Sequence, residues 1–178
     1  MQLKKETVTR GIHWGFACFI FIMLGIGFYM TNSEYSLETY EVHKSLGVIF
    51  FILMGIRLYW RVRHPWQSLA TQGKYGILVH YSHVFLLGLL CAMPITGLLS
   101  SGFSGWGIYL FDWELLPQHF DADGIVAPVH GGAYKAAKFL HMVFAYSFTG
   151  LILIHISAVL KHHFFDRDDT LIRMLKGK

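Results

Sequence analysis

The chain has 178 residues, of which 54% are hydrophobic, 16% aromatic and only 15% charged. A soluble domain of this size carries about 25% charged residues, so the balance excludes an ordinary cytosolic enzyme, a disordered chain and a disulfide scaffold. The formal charge of +4 does not mark a nucleic-acid surface, because the basic residues bracket apolar runs and gather into no single stripe.

Crossing a hydrocarbon core takes about 20 apolar helical residues, and four runs qualify. The first, residues 12–30, follows Lys4, Lys5 and Arg10 and carries His13 one turn past Arg10. It is too long for the apolar region of a signal peptide, and no small-residue cleavage site follows Met30, so it reads as a retained helix. The connection 31–42 holds Glu34, Glu38 and Glu41 with no Lys or Arg. The second span, residues 43–60, opens on His43 and Lys44 and places Arg57 fourteen residues after His43. Arg61, Arg63 and Lys74 follow it, with His64 beside Pro65.

The third span, residues 77–101, begins with the pair His80 and His83, which share a helix face. After it comes the long connection 102–138, rich in Gly and Pro, where Asp112, Glu114, Asp121 and Asp123 outnumber Lys135 and Lys138. Connections of this length are functional or carry structure of their own. Trp106, Tyr109, Leu110, Trp113, Leu115 and Leu116 suggest a segment lying on the outer membrane surface, and His119 and His130 within it read as exposed. The fourth span, residues 139–160, carries His141 and His155 and runs into Lys161, His162, His163, Arg167, Arg173, Lys176 and Lys178. The tail reads as a short helix capped at Asp169 or Thr170.

Lipid offers the backbone no hydrogen-bond partner, so each span must be a helix. The reading is therefore all-α, a membrane four-helix bundle filling residues 1–178 as one domain. Most of the 15 Lys and Arg residues lie at the N-terminus, after span two and after span four, which puts both termini in the cytoplasm. Trp14, Tyr29, Trp60, Trp66, Tyr75, Trp106 and Tyr109 sit near span ends, as interfacial aromatic belts do. Cys18 and Cys91 fall inside spans and read as small buried apolar residues.

Ionisable groups inside a membrane helix are costly and mark function. Depth sorts four of the 11 histidines into pairs, His13 with His155 at the inner end and His43 with His141 at the outer end. His141 and His155 are fourteen residues apart, close to four full turns, so they share a face and stand about 21 Å apart. A haem takes one imidazole from each side of its plane, and facing helices of a bundle can supply both. Iron also satisfies a nitrogen that hydrocarbon would leave unpaired. Two b-type haems stacked across the membrane are one reading; zinc or another metal, a proton relay and plain packing are the others. The absence of a CxxCH motif excludes covalent haem attachment. His80 and His83 compete for the inner site, and His162 and His163 lie at headgroup level.

Arg57 shares the depth of the inner pair, and no acidic residue inside a span offers it an anion. A haem propionate would, with Arg10 and Arg61 at similar depth and Lys44 and Lys138 beside the outer histidines. Gly25, Gly27, Gly47, Gly55, Gly88, Gly97 and Gly150 allow close approach of helices or of a porphyrin.

The run IHW from Ile12, EVHKSLG from Glu41, GIRLYWRVRHP in span two, HYSH in span three, His141 with His155, and the closing LKHHFFDRDDTLIRM together resemble the prokaryotic cytochrome b561 family over nearly the whole chain. The resemblance implies four helices in the bacterial inner membrane and two b-type haems, with ligands matching His13, His43, His141 and His155. It also implies electron exchange with ubiquinone or another quinone, and with a periplasmic redox partner or superoxide at the outer face. One member type is similar to a superoxide oxidase, and there the quinone site involves a lysine before helix three and the first histidine after helix four, which match Lys74 and His162. Related four-helix cytochromes serve as haem-bearing membrane subunits of dehydrogenases and hydrogenases, which is the alternative role.

Overall fold

A computed structural model describes residues 2–33, 37–65 and 76–177. Glu34, Trp66, Lys74, Tyr75 and Lys178 lie outside the described residues. Four long helices dominate: α1 Gln2–Asn32, α2 Leu37–Arg63, α3 Gly76–Phe103 and α4 Gly131–Lys161. All four are long and apolar enough to cross a membrane.

Each helix overruns the apolar stretch that announced it. α4 begins at Gly131 rather than 139 because the His130 side chain accepts the Ala133 N–H at 3.1 Å and caps its first turn. The polar residues Tyr134, Lys135 and Lys138 concealed that turn from a hydropathy reading. His130 thus has a structural task as well as exposure.

The connection after α3 is correspondingly shorter, and it carries strand. β1 Ile108–Leu110 pairs antiparallel with β2 Trp113–Leu116. β1 packs on the N-terminal part of α2, and the buried Ser45 fastens it there. Its Oγ accepts the Phe111 N–H at 2.8 Å and reaches the Tyr109 carbonyl oxygen at 3.4 Å. Phe111 holds a left-handed φ of 52° at the hairpin tip, a costly conformation for a bulky residue, and the Ser45 bond is what retains it. Ser45 stands two residues after His43, so the hairpin covers the end of the bundle that holds His43.

At the other end, Trp60 Nε1–H donates to Thr9 Oγ1 at 2.9 Å and Trp14 Nε1–H to the Met174 carbonyl at 3.0 Å. These bonds gather the start of α1, the end of α2 and the short helix α5 Thr170–Lys176 at one end of the bundle. The Arg10 guanidinium lies against Gly177, the left-handed residue that ends α5. Asp169 is the N-cap residue of α5, but its side chain makes no capping bond; the Thr170 N–H is instead taken by Asp168 Oδ1 at 2.9 Å.

The bundle's middle is a layer of Phe16, Phe50, Met54, Leu89, Leu90 and Phe148, one or two from each long helix. Outside it the apolar side chains face outward, Ile77 being 77% exposed and Ile56 57%, which is the surface a lipid-embedded bundle presents. α3 and α4 pack most closely, followed by α2 with α3 and α1 with α2. α4 stands further from α1 and α2, and their histidines face each other across that opening.

Candidate functional site

Two histidine pairs cross from α4 to its distant neighbours. His43 of α2 faces His141 of α4 with ring centroids 6.4 Å apart and planes at 86°. His13 of α1 faces His155 of α4 at 6.5 Å and 53°. Phe148 lies seven residues from each of the two α4 histidines, so the apolar layer separates the pairs.

The outer pair is built in detail. A carbonyl oxygen only accepts, so the 3.0 Å contact between His141 Nδ1 and the Met93 carbonyl puts the proton on Nδ1 and leaves Nε2 with its lone pair. Thr96 Oγ1 lies 3.1 Å from the same Nδ1. Its own hydroxyl proton serves the Ala92 and Met93 carbonyls, at 2.9 and 3.0 Å. The His141 ring rests on α3 where Gly97 has no side chain; a Cβ there would lie 3.1 Å from Cε1. Opposite, Gly27 of α1 leaves similar room, its Cβ position 3.5 Å from His43 Cε1. His43 Nδ1 is buried with no hydrogen-bond partner, an arrangement that costs stability unless a further group engages the ring.

Does this fit a metal held between imidazoles? A metal–imidazole bond is about 2 Å, so two in line, with half a ring at each end, span about 6 Å. Both separations, 6.4 and 6.5 Å, match. The backbone acceptor on His141 is also the outer partner that ligating histidines characteristically have. Among the described residues no group of three or more His, Cys, Asp or Glu could hold a free ion. The donor set suits an ion that brings its remaining ligands with it, as iron in a porphyrin does.

Arg57 lies at the inner level. Its guanidinium stacks 4.7 Å over the Phe16 ring, and Nη1 is buried without a partner.

The other sequence candidates fall in varied places. Arg61 is exposed, Lys44 half-buried, and Lys138 is taken up by Tyr134, with Nζ 3.4 Å from its hydroxyl. His80 and His83 do not act together: His80 is exposed and contacts Tyr81, whereas the His83 ring lies 5.3 Å from that of His155. His64, read as exposed, is half-buried; its ring stacks on Trp60 with centroids 4.1 Å apart. His162 begins a π-helical turn, His162–Asp166, with Nδ1 2.9 Å from Asp166 and 3.2 Å from Asp168. Lys161 Nζ meets the same Asp166 at 2.7 Å, so one carboxylate holds both residues. Sequence reasoning missed Met93 and Thr96: Met93 acts through its backbone, and Thr96 resembles any small residue in a span.

Comparison with known proteins finds relatives over nearly the whole chain. A family profile described as prokaryotic cytochrome b561 matches residues 5–177. Cytochrome b561 homolog 2 of Escherichia coli strain K12 is 33% identical over 97% of this chain and 91% of its own length. Cytochrome b561 homolog 1 of the same organism is 28% identical over 92% of each chain. A probable superoxide oxidase, CybB, of Yersinia pestis is 26% identical over 100% of this chain and 99% of its own.

Proposed function

The chain belongs to the prokaryotic cytochrome b561 family, membrane proteins that bind b-type haem and transfer electrons, and from that premise we propose a di-haem carrier linking a quinone pool to the outer face of the bacterial inner membrane. His13 and His155 hold the inner haem, His43 and His141 the outer one, and both termini lie in the cytoplasm. The observation that carries the reading is the pair of histidine separations, 6.4 and 6.5 Å, repeated at two levels of one bundle.

When bound, haem supplies a one-electron iron couple. The protein's residues do the rest. Met93 and Thr96 fix the ring of His141, Arg57 supplies positive charge at the inner level for a propionate, and the apolar layer excludes water between the sites. At the inner face His162, held by Asp166 and Asp168, is the proposed contact for a quinone headgroup, with Lys74 as its companion. Arg10, Arg61, Lys44 and Lys138 are further propionate partners.

Superoxide is the proposed outer donor in the enzymatic version. Two superoxide ions each lose one electron to become dioxygen, and the two electrons with two cytoplasmic protons convert quinone to quinol. The outer rim favours a second role, as a membrane subunit docked to a basic redox partner, since Glu38, Glu41 and Asp112 surround a cleft there.

Purified protein distinguishes these. Two haems per chain with a bis-histidine spectrum are expected, and His162→Ala should slow quinone reduction at unchanged haem content. Reduction by superoxide without any partner supports the enzyme, and turnover only with a co-purifying dehydrogenase supports the subunit. One haem or none refutes both.

A further inference from the structure

The two α4 histidines are treated differently by their surroundings. His141 gives its Nδ1–H to the Met93 carbonyl at 3.0 Å. Among the described residues the His155 ring makes no hydrogen bond. An imidazole that binds iron through one nitrogen carries a proton on the other, and in a water-poor bundle that N–H needs an acceptor.

Beside the His155 ring lies His83, whose protonation its own contact fixes. Its Nδ1 lies 2.7 Å from the Val79 carbonyl. The carbonyl can only accept, so Nδ1 carries the proton and Nε2 is an acceptor with a free lone pair. Its ring centroid is 5.3 Å from that of His155, with the planes at 88°. Two imidazoles joined by one N–H···N bond of about 2.9 Å have centroids about 5 Å apart, and only the soft terminal torsions of the rings need turn to aim one nitrogen at the other.

We propose that His83 is a positioning residue for the inner site, whose Nε2 accepts the non-ligating N–H of His155. The relay then runs from the Val79 carbonyl through His83 to His155, doing for the inner haem what the Met93 carbonyl does for the outer. This rests on the reading of His155 as an axial ligand. An acceptor on the distal N–H makes the imidazole more basic, which favours ferric iron and lowers the potential. His83 is therefore not a ligand in reserve, and its exposed neighbour His80 has no part in the relay.

The test is a redox titration of the purified di-haem protein carrying His83→Phe or His83→Gln. Phenylalanine keeps the ring and removes the acceptor, so the inner midpoint potential should rise while both haems remain and the outer potential stays put. Glutamine offers a carbonyl acceptor and should return the inner potential most of the way. The outer haem's spectrum serves as the control for folding. An unmoved inner potential in His83→Phe overturns the proposal, as does loss of the inner haem in His83→Phe with its retention in His13→Ala, which would make His83 the ligand. Failure of the underlying reading is separate: it appears as retention of both haems in His155→Ala.

Discussion

The His141 ring lies on the backbone of Gly97, so closely that a Cβ at position 97 would sit 3.1 Å from its Cε1. Ordinary contacts are looser, and the ring is already tied to the same stretch of α3 by its Met93 and Thr96 partners, so it has little freedom to move away. On helix propensity alone Gly97→Ala should stabilise α3 by about 1 kcal/mol. Any loss at the outer site therefore comes from displacing the ring. Gly97→Ala is expected to weaken outer-haem retention about 10-fold, the scale on which disturbing a ligand's supporting shell acts, and to leave the inner haem intact. Haem titration of the stripped protein measures it; equal weakening at both sites would refute the placement.

The pairing itself makes a sharper forecast. α4 contributes one histidine to each site, so exchanging either removes one haem and spares the other. His43→Ala and His141→Ala should each lose the outer haem, and His13→Ala and His155→Ala each the inner. Pyridine haemochrome quantitation should fall from two haems per chain to one in every case. The two members of a pair should leave the same residual spectrum, distinct from that of the other pair. A crossed pattern, with His43 matching His155, would dissolve the assignment by depth.

The two histidine pairs were partly legible in the sequence alone. The four spans follow from apolar length, and the α4 histidines from a fourteen-residue spacing that keeps them on one face. Pairing by depth then needed only the distance of each histidine from flanking charge. What stayed hidden depends on tertiary packing or on backbone atoms. The Met93 carbonyl has no residue type to signal it. The His130 cap lies in a polar turn that hydropathy assigns to loop. The hairpin at 108–116 has no clear alternation because β2 is exposed along its length, and what fastens it is a serine two residues beyond a histidine on another element. His80 and His83 are equivalent in sequence because a shared helix face does not say which of two residues one turn apart meets the neighbouring helix.

The hairpin carries a pH signature of its own. Tyr109 donates its hydroxyl to Glu114 Oε2 at 2.9 Å, and that bond to a carboxylate pushes the phenol above its ordinary value. The protonated phenol is the favoured form in the folded hairpin. The contribution is thus fully present below the unfolded phenol's value of about 10 and disappears as pH climbs through the raised folded one. Glu114→Gln removes the charge, so Tyr109 should ionise at lower pH than in the parent. Phenolate absorbance, taken as the difference from Tyr109→Phe, follows this; an unchanged titration would mean that the bond does not form in the membrane-embedded protein.

Arg57 provides the test of electrostatics at the inner level. Its guanidinium sits over Phe16 at 4.7 Å with Nη1 buried and unpartnered, so a fixed positive charge stands beside the inner pair. Positive charge favours the reduced, less positive iron, and Arg57→Leu should therefore lower the inner midpoint potential. The outer site is about 21 Å away along α2, where a unit charge at an effective dielectric near 20 is worth under about 1 kcal/mol. The outer potential should accordingly move much less. Arg57→Lys keeps the charge but not the planar fork that grips a carboxylate at two points, so it should restore most of the potential while leaving the inner haem less tightly held. Equal shifts at both haems would place the charge between the sites and remove Arg57 from the inner one.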